Sequence, residues 1–581
     1  MAFGTALSTR PLREPWFVVL PDHPAIVPAV RVLRSQAQHV YRHRSGRPWL
    51  MGCWPDEWTN IEATGDAQTA ILGPKRIGVD GHRNRCHLAV NEEGRLRIQG
   101  TLSGQARVFH ATFNTVTLAA NRADVLALVT RASFDEEALA TRLLELPLDL
   151  LPLWRGVHAV RPDHCLFIDR QGRASEIRYW VPPEPELPLS AGAREVYAAL
   201  RRSVRSHLVP ERISADLSGG LDSTALCFLA DHEMTALTAV SEDPANEDAH
   251  WAERAARHLP HAVHKTVTRE ELGLHYDLVD RSGYGLDFPF VALHSFGIWA
   301  RRSELLAAMG SRIHMSGIGG DQLFQLGWSY LPDLMRRRPL AAMSHLRGRR
   351  ARWRWPLRTV ARMMFARTPY STWLANAATV AGVPEPGLWG LPARIPPWAT
   401  AEAVDAIQRI LRRTAEQAGS VSPHPAQHQT VLQLWQAGII CRQSNQIPSS
   451  SRVWQVYPYC DGDVLDAVLR VRLEDRGDPW RYKPLLVESM RGHMPDHLLA
   501  RTTKGHVDQE IHEGFRRNRA DLLALCDDSI LAELGLIDEQ QLRRVLLGPQ
   551  APDTPVDEFG HTLACEAWLR TQTEGSQWLY T

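Results

Sequence analysis

A chain of 581 residues is too long for one small core and is expected to divide into about two to four domains. With 44% hydrophobic residues, 23% charged residues and a formal net charge of +1, it has an ordinary globular composition with no global pull toward nucleic acid or an anionic membrane. No apolar run reaches the roughly 18 residues that span a bilayer, and residues 1–24 lack an apolar core of signal-peptide length. The eight cysteines show neither CxxC nor zinc-ligand spacing, and the 25 histidines form no HExxH-type cluster. The expectation is a cytoplasmic protein with reduced cysteines and no transition-metal site.

In chain order, RPWLMGCW, RCHLAV, RLRIQGTL, RVFHATF and TVTLAA are short, rich in β-formers and punctuated by Gly or Asn. They predict an antiparallel, β-rich region with helices, one of them around ADVLALVTRA. The stretch WVPPEPELPLS carries four prolines, which favour an extended connection. Beyond it, RISADLS, TALTAVS and SRIHMSG are apolar strands, each followed by a polar turn and a helix-period segment. That alternation predicts a parallel sheet covered by helices, so the fold class is α/β. The boundaries are set at 1–182 for the first domain, 183–190 for the linker and 191–581 for the second domain.

The strand ISADL runs into Ser218-Gly219-Gly220-Leu221-Asp222-Ser223 and then into the helix-like TALCFLADH. Glycines let backbone N–H groups turn inward, and the following helix N-terminus carries partial positive charge. Together they make an anion cradle suited to phosphate or pyrophosphate. It is not the GxxxxGK[ST] loop, which does not occur in the chain. About a hundred residues later comes a second glycine-rich loop, SGIGGDQLF at 316–324.

SGGLDS resembles the PP-loop of ATP pyrophosphatases, and SGIGGDQLF resembles the SGxGGDELF stretch of the asparagine synthetase superfamily. NEDAHWAERAARHL, VYPYCDGDVLDAVLRV, YKPLLVESM and ARTTKGHVD follow in the order of that superfamily's motifs. RVFHATFNTVTLAANRADVLALV and LWRGVHAVRPDHCLFID are similar to its glutaminase-type (Ntn) α+β sandwich domain. The resemblance implies ATP and Mg²⁺ as cofactors. Ser218, Gly219, Gly220 and Ser223 would hold the pyrophosphate, and Asp222 and Asp321 would bind Mg²⁺. Lys483 would contact phosphate, and Lys504 would stabilise charge after adenylation. Leu217, Val240 and Gly317 match positions whose backbone contacts the nucleotide.

Two departures narrow the expectation. Glutamine-dependent members begin with a nucleophilic cysteine, whereas here Met1 is followed by Ala2-Phe3-Gly4 and the first cysteine is Cys53. The first domain is therefore expected to be a degenerate, glutaminase-like scaffold or peptide-binding surface without a thioester-forming thiol. Ile318 stands where asparagine synthetases have glutamate and β-lactam synthetases have tyrosine, and an isoleucine cannot accept a proton. A peptide α-amine suits this change, because its pKa of about 7.7–8.0 leaves an appreciable neutral fraction near neutrality.

The combination is similar to the lasso peptide cyclases. That resemblance implies adenylation of an Asp or Glu side chain of a ribosomal core peptide, then isopeptide closure by its N-terminal amine. It also implies a precursor peptide, a leader peptidase and a leader-recognition protein as partners. The alternatives are another AMP-forming amide ligase, either β-lactam synthetase-like or ammonia-dependent, and an RNA-binding or inactive PP-loop module. Finally, Arg336 to Arg367 holds eleven arginines and no acid, with Trp353 and Trp355 interleaved. It is expected to be an amphipathic helical hairpin with solvated arginines and Trp, Leu and Met packed inward. A peptide or partner surface and a nucleic-acid contact are the other readings.

Overall fold

The computed structural model describes residues 15–64, 67–74, 87–144, 151–208, 212–379, 387–447, 453–503, 505, 507–548 and 558–573. The chain opens with two antiparallel sheets. The first runs, in spatial order, through the strands Val157–Ala159, Phe109–Phe113, Val116–Ala120, Trp16–Val19, Pro48–Cys53 and His39–Arg42. The second runs through Ala174–Arg178, His164–Ile168, Arg95–Gln99, His87–Glu92, Ala67–Leu72 and Thr59–Thr64. Every strand expected from the sequence in this region is present, as is the helix Ala123–Thr130.

The strand Trp16–Val19, WFVV, is apolar throughout because both its faces are buried. Side chains alternate along a strand. Phe17 and Val19 join Trp49, Ala89, Ile98 and Leu166 in the core between the sheets. Trp16 and Val18 face the other way, into a larger core shared with the helix Ala123–Thr130 and with Leu563 and Trp568 of the last helix, Glu558–Thr573. That core also takes in Tyr276, Phe290 and Trp398 and crosses the 183–190 connection. The connection is extended as far as Pro188, Leu187 bridges Val471, and a 17-residue helix, Leu189–Arg205, follows.

The second half centres on a five-stranded sheet whose neighbouring strands are all parallel, in the order Ala262–Val267, Met234–Ala239, Ile213–Asp216, Ile313–Met315, Trp454–Val456. The strands after Ile213–Asp216 build outward on one side, and the chain then returns to place Ile313–Met315 on the other. Loops at the carboxyl ends of strands flanking such a switch point diverge and leave a crevice. This topology brings the 218–223 and 316–321 loops together although a hundred residues separate them. The two halves also touch directly: Trp58 packs edge-on against Trp454 at 4.5 Å, and Trp435 donates its indole N–H to the Leu102 carbonyl at 2.8 Å.

The arginine-rich stretch is helical: Leu331–Arg337, Pro339–Trp353 and Leu357–Phe365. The expectation that its apolar side chains pack inward holds only in part. Val360 and Met363 are buried, but Leu340, Met343, Trp353, Leu357 and Phe365 are exposed. The reason lies in the pattern. In the longest of the three helices, Leu340, Met343 and Leu346 recur at three-residue spacing, but the buried positions are Ala342, Gly348 and Arg349, so the face turned inward is not the one that carries the large apolar side chains. Among the described residues, no helix is long and apolar enough to cross a membrane.

Candidate active site

The crevice is a cavity of about 400 Å³ lined by residues of both glycine-rich loops and of the C-terminal segments. On the first loop, Gly219 has φ +75, a conformation that L side chains rarely adopt. A Cβ there would also lie 2.4 Å from the Asp248 carbonyl oxygen and 2.9 Å from Arg501 Nη1. Only glycine lets the loop pass this closely. The Ser218 N–H donates to Ser223 Oγ at 3.1 Å, and the two hydroxyls lie 2.8 Å apart, closing the loop onto the first turn of the helix Leu221–Ala230.

The second loop presses against that helix. A Cβ on Gly320 would come within 2.5 Å of Asp222 Cγ, so glycine is what brings Asp321 beside Asp222. The buried Lys483 ammonium joins them, bonding Asp321 Oδ1 at 2.7 Å and the Asp222 carboxylate as well. Burial opposes its charge, but Asp222 and then Asp321 outweigh that, and the Lys483 pKa is raised above the ordinary 10.5. Tyr459 fixes the same turn by donating its hydroxyl to the Asp222 carbonyl at 2.9 Å.

Of the residues expected from the sequence, Ser218, Gly220, Asp222, Ser223, Val240, Gly317 and Asp321 line the cavity. Gly219 and Lys483 are not among the lining residues, although Lys483 bonds Asp222 and Asp321, which are. Leu217 is fully buried, with its N–H given to the Leu237 carbonyl and its own carbonyl accepting from Thr238 Oγ1. Lys504 lies outside the described residues, as do Met1, Ala2, Phe3 and Gly4. Its neighbours do not: Thr503 lines the cavity, and the Gly505 N–H donates to Asp248 Oδ1 at 3.0 Å. Two converging carboxylates suit a hard divalent cation such as Mg²⁺. Among the described residues, no three His, Cys, Asp or Glu side chains gather to hold a metal. The ion's remaining ligands would be phosphate oxygens and water.

Three groups in the cavity were not anticipated. Arg501 is buried and bonds Asp248, yet its Nε and Nη1 have no partner among the described residues. A buried guanidinium with N–H groups left unpaired among the described residues, set against a glycine-rich loop, suits an anionic ligand. Arg501 lies three residues before Lys504, in ARTTKGHVD, where nothing local sets it apart from a solvated arginine. On the floor, Asp216 accepts from His314 Nε2 at 3.0 Å and lies 3.4 Å from Arg302, while Ser214 Oγ meets His314 Nδ1 at 2.9 Å. Burial opposes the Asp216 charge, but Arg302, His314 and Ser316 hold its pKa well below the usual carboxylate range; burial also lowers the His314 pKa, against the pull of Asp216. Glu510, bonded by the Ser241 hydroxyl, forms part of the rim. Ile318 also lines the cavity and is partly buried among core residues.

A second cavity, about 90 Å³, lies where Phe17, Trp54 and His87 of the sandwich meet Arg442 and Trp454; it holds none of the expected site residues.

Comparison with known proteins fits the main cavity. The model of the asparagine synthase family matches residues 195–570, which include both glycine-rich loops and Lys483. No match is found among curated proteins. Among solved structures, glutamine phosphoribosylpyrophosphate (PRPP) amidotransferase from B. subtilis, complexed with ADP and GMP, aligns at 8% identity over 41% of this chain and 44% of that chain, with a TM-score of 0.12. The aligned part is thus less than half of that protein's length, and so slight a likeness carries no argument.

Proposed function

The chain belongs to the asparagine synthase family, ATP-dependent ligases that form carbon–nitrogen bonds with release of AMP, and on that premise we propose that it is a peptide macrolactam synthetase of the lasso cyclase kind. Its substrate is a ribosomal precursor or core peptide, delivered with the help of a leader-recognition protein and a leader peptidase. An Asp or Glu side-chain carboxylate of the peptide attacks the α-phosphorus of ATP. The α–β anhydride bond breaks and pyrophosphate leaves. The peptide's N-terminal amine then attacks the acyl carbon and AMP leaves, with the amine proton passing to solvent or phosphate.

The residues divide this work. Ser218, Gly219, Gly220 and Ser223 cradle the β,γ-phosphates, with Arg501 against the same loop. Asp222 and Asp321 hold Mg²⁺, which when bound neutralises the pyrophosphate leaving group. Lys483 orients both carboxylates and adds a positive charge beside the phosphates. Lys504 stabilises charge as the amine attacks. Val240 and Gly317 offer backbone to the nucleotide, as does Leu217 through the remaining lone pair of its carbonyl. The residues up to 182 serve as a degenerate, glutaminase-like scaffold, and 191–581 as the synthetase domain.

The observation that carries the choice of nucleophile is Ile318, an apolar side chain lining the cavity at the position that elsewhere in the superfamily supplies an acid or a phenol. A peptide amine needs no base there. The largest catalytic contribution is then geometric, holding the amine against the acyl-adenylate within the cavity. The test is reconstitution from purified protein, ATP, Mg²⁺ and a synthetic core peptide with one internal Asp or Glu, read by mass spectrometry. Loss of one water, abolished by acetylating the peptide's N-terminus, supports the reading. Cyclisation of the acetylated peptide contradicts it, as does amide formation from free ammonia with no peptide present.

A further inference from the structure

The helical segment from Leu331 to Phe365 takes no part in the nucleotide cavity, yet it is fastened to the loops that do. The one buried arginine of the cluster, Arg349, donates through Nη2 to the carbonyls of Leu326 at 2.7 Å and Gly477 at 3.0 Å. Leu326 lies five residues after Asp321, and Gly477 six residues before Lys483. Tyr330 donates its hydroxyl to the same Gly477 carbonyl at 2.6 Å, and Gly348 is packed so closely on Pro479 that a Cβ would sit 2.7 Å from its ring. The segment is therefore a rigid extension of the loops that carry Asp321 and Lys483.

The outer surface of this extension combines two features seldom left uncovered together. The other ten arginines from Arg336 to Arg367 are exposed, and no acid lies among them in sequence. Arg336 and Arg338 reach Asp333 and Glu474; Arg337, Arg347, Arg352, Arg354, Arg358 and Arg367 have no acidic partner among the described residues. The same helices expose Leu340 (87%), Phe365 (79%), Leu357 (66%) and Trp353 (57%). Four large apolar side chains left exposed on two consecutive arginine-rich helices are more than a purely solvated face needs.

We infer that these helices are a docking surface for an acidic stretch of polypeptide bearing leucine or aromatic side chains, the part of the peptide substrate that lies outside the reacting ring. Charge complementarity sets the acid content, since guanidinium forks pair with carboxylates. The exposed Leu, Phe and Trp set the rest: a nucleic-acid backbone would satisfy the arginines and leave the apolar residues wet. The attachment through Arg349 ties this surface to the segments that carry Asp321 and Lys483, a link that a membrane surface would not need. That the bound chain is the substrate rests on the proposed reaction; the docking surface itself does not.

The test uses the full-length protein and a fluorescein-labelled peptide of Glu and Asp interspersed with Leu and Phe, followed by anisotropy. Two variants are compared with the parent, Arg352→Glu/Arg354→Glu/Arg358→Glu and Leu357→Ser/Phe365→Ser, neither of which touches the cavity. Each should weaken peptide binding by about tenfold or more while the thermal transition and ATP affinity stay unchanged. Binding should also weaken with added salt. Equal binding by the parent and both variants overturns the inference. So does preferential binding of a single-stranded RNA oligonucleotide, or of phosphatidylserine vesicles, that the peptide cannot displace. If the variants lose peptide binding but no peptide carboxylate is ever adenylated in an ATP–pyrophosphate exchange assay, the surface stands and the proposed reaction falls.

Discussion

Lys483 and Asp321, 162 residues apart in the chain, meet at 2.7 Å, and the same ammonium bonds Asp222. One buried cation thus holds together two carboxylates that line the cavity. Replacing it by a neutral side chain of similar length, Lys483→Met, leaves two carboxylates facing each other. Pyrophosphate release should fall by about a hundred- to thousandfold, the range for losing one preorganised charge in a site, and the melting temperature should drop. Because the Lys483 pKa is raised, this contribution to stability is complete below pH 10.5 and is lost only as pH rises through the folded value. A Lys483→Met melting curve that differs from the parent's at pH 7 and converges with it only at strongly alkaline pH would bear this out.

Arg501 gives a separable prediction. Its free Nε and Nη1 beside Gly219 should bind phosphate oxygens, so Arg501→Met should weaken ATP binding by about tenfold to a hundredfold, the worth of one hydrogen bond to a charged group. Arg501→Lys should recover little, since a point charge cannot keep Asp248 and reach phosphate through a fixed fork. Titration calorimetry with a non-hydrolysable ATP analogue reads the difference.

Lys504 is tested through the second half-reaction. Lys504→Ala should still form the acyl-adenylate and exchange pyrophosphate into ATP, but lose about a hundred- to thousandfold in ring closure. Near-normal turnover would remove this lysine from the reaction.

Acid stability should depend on His428, buried with Nδ1 accepting the Val421 N–H at 3.0 Å. Burial pushes its pKa down to about 3 from 6.5. The unfolded chain binds a proton that the folded one refuses, so stability is full above pH 6.5 and falls as pH drops below it. The slope from this residue is about 1.4 kcal/mol per pH unit, continuing toward pH 3. In His428→Asn, whose side-chain oxygen can take the Nδ1 place, urea midpoints measured from pH 7 to pH 5 should fall less steeply than in the parent. An identical slope would show that the ring is charged in the native state.

The sequence revealed the strands, the parallel arrangement and both glycine-rich loops, because apolar runs followed by Gly-rich turns are local signals. Ser218, Asp222 and Asp321 could be read for the same reason. Arg501, Asp248 and the Asp216–His314–Arg302 cluster could not. Their meaning comes from tertiary packing of residues that look ordinary along the chain, such as Asp216 and His314, which face each other across paired strands. Ser218 was legible and Arg501 was not, although both border the same cradle, because only one sits in a turn with a characteristic composition. The core joining Trp16 and Val18 to the last helix was equally hidden, since nothing local in WFVV says what covers its second face. The arginine helices show a different limit. Composition predicted helix, but not that Leu340, Leu357 and Phe365 would stay outside.

The central claim is that a peptide carboxylate attacks the α-phosphorus of ATP in the cavity between the 218–223 and 316–321 loops. The most direct measurement labels that carboxylate with oxygen-18 and follows the label by mass spectrometry through a single turnover. The account predicts one labelled oxygen in AMP, with unlabelled pyrophosphate, and loss of both products' formation in Asp222→Asn and Asp321→Asn. Label appearing in orthophosphate, with ADP as the other product, would mean attack at the γ-phosphorus and would contradict it.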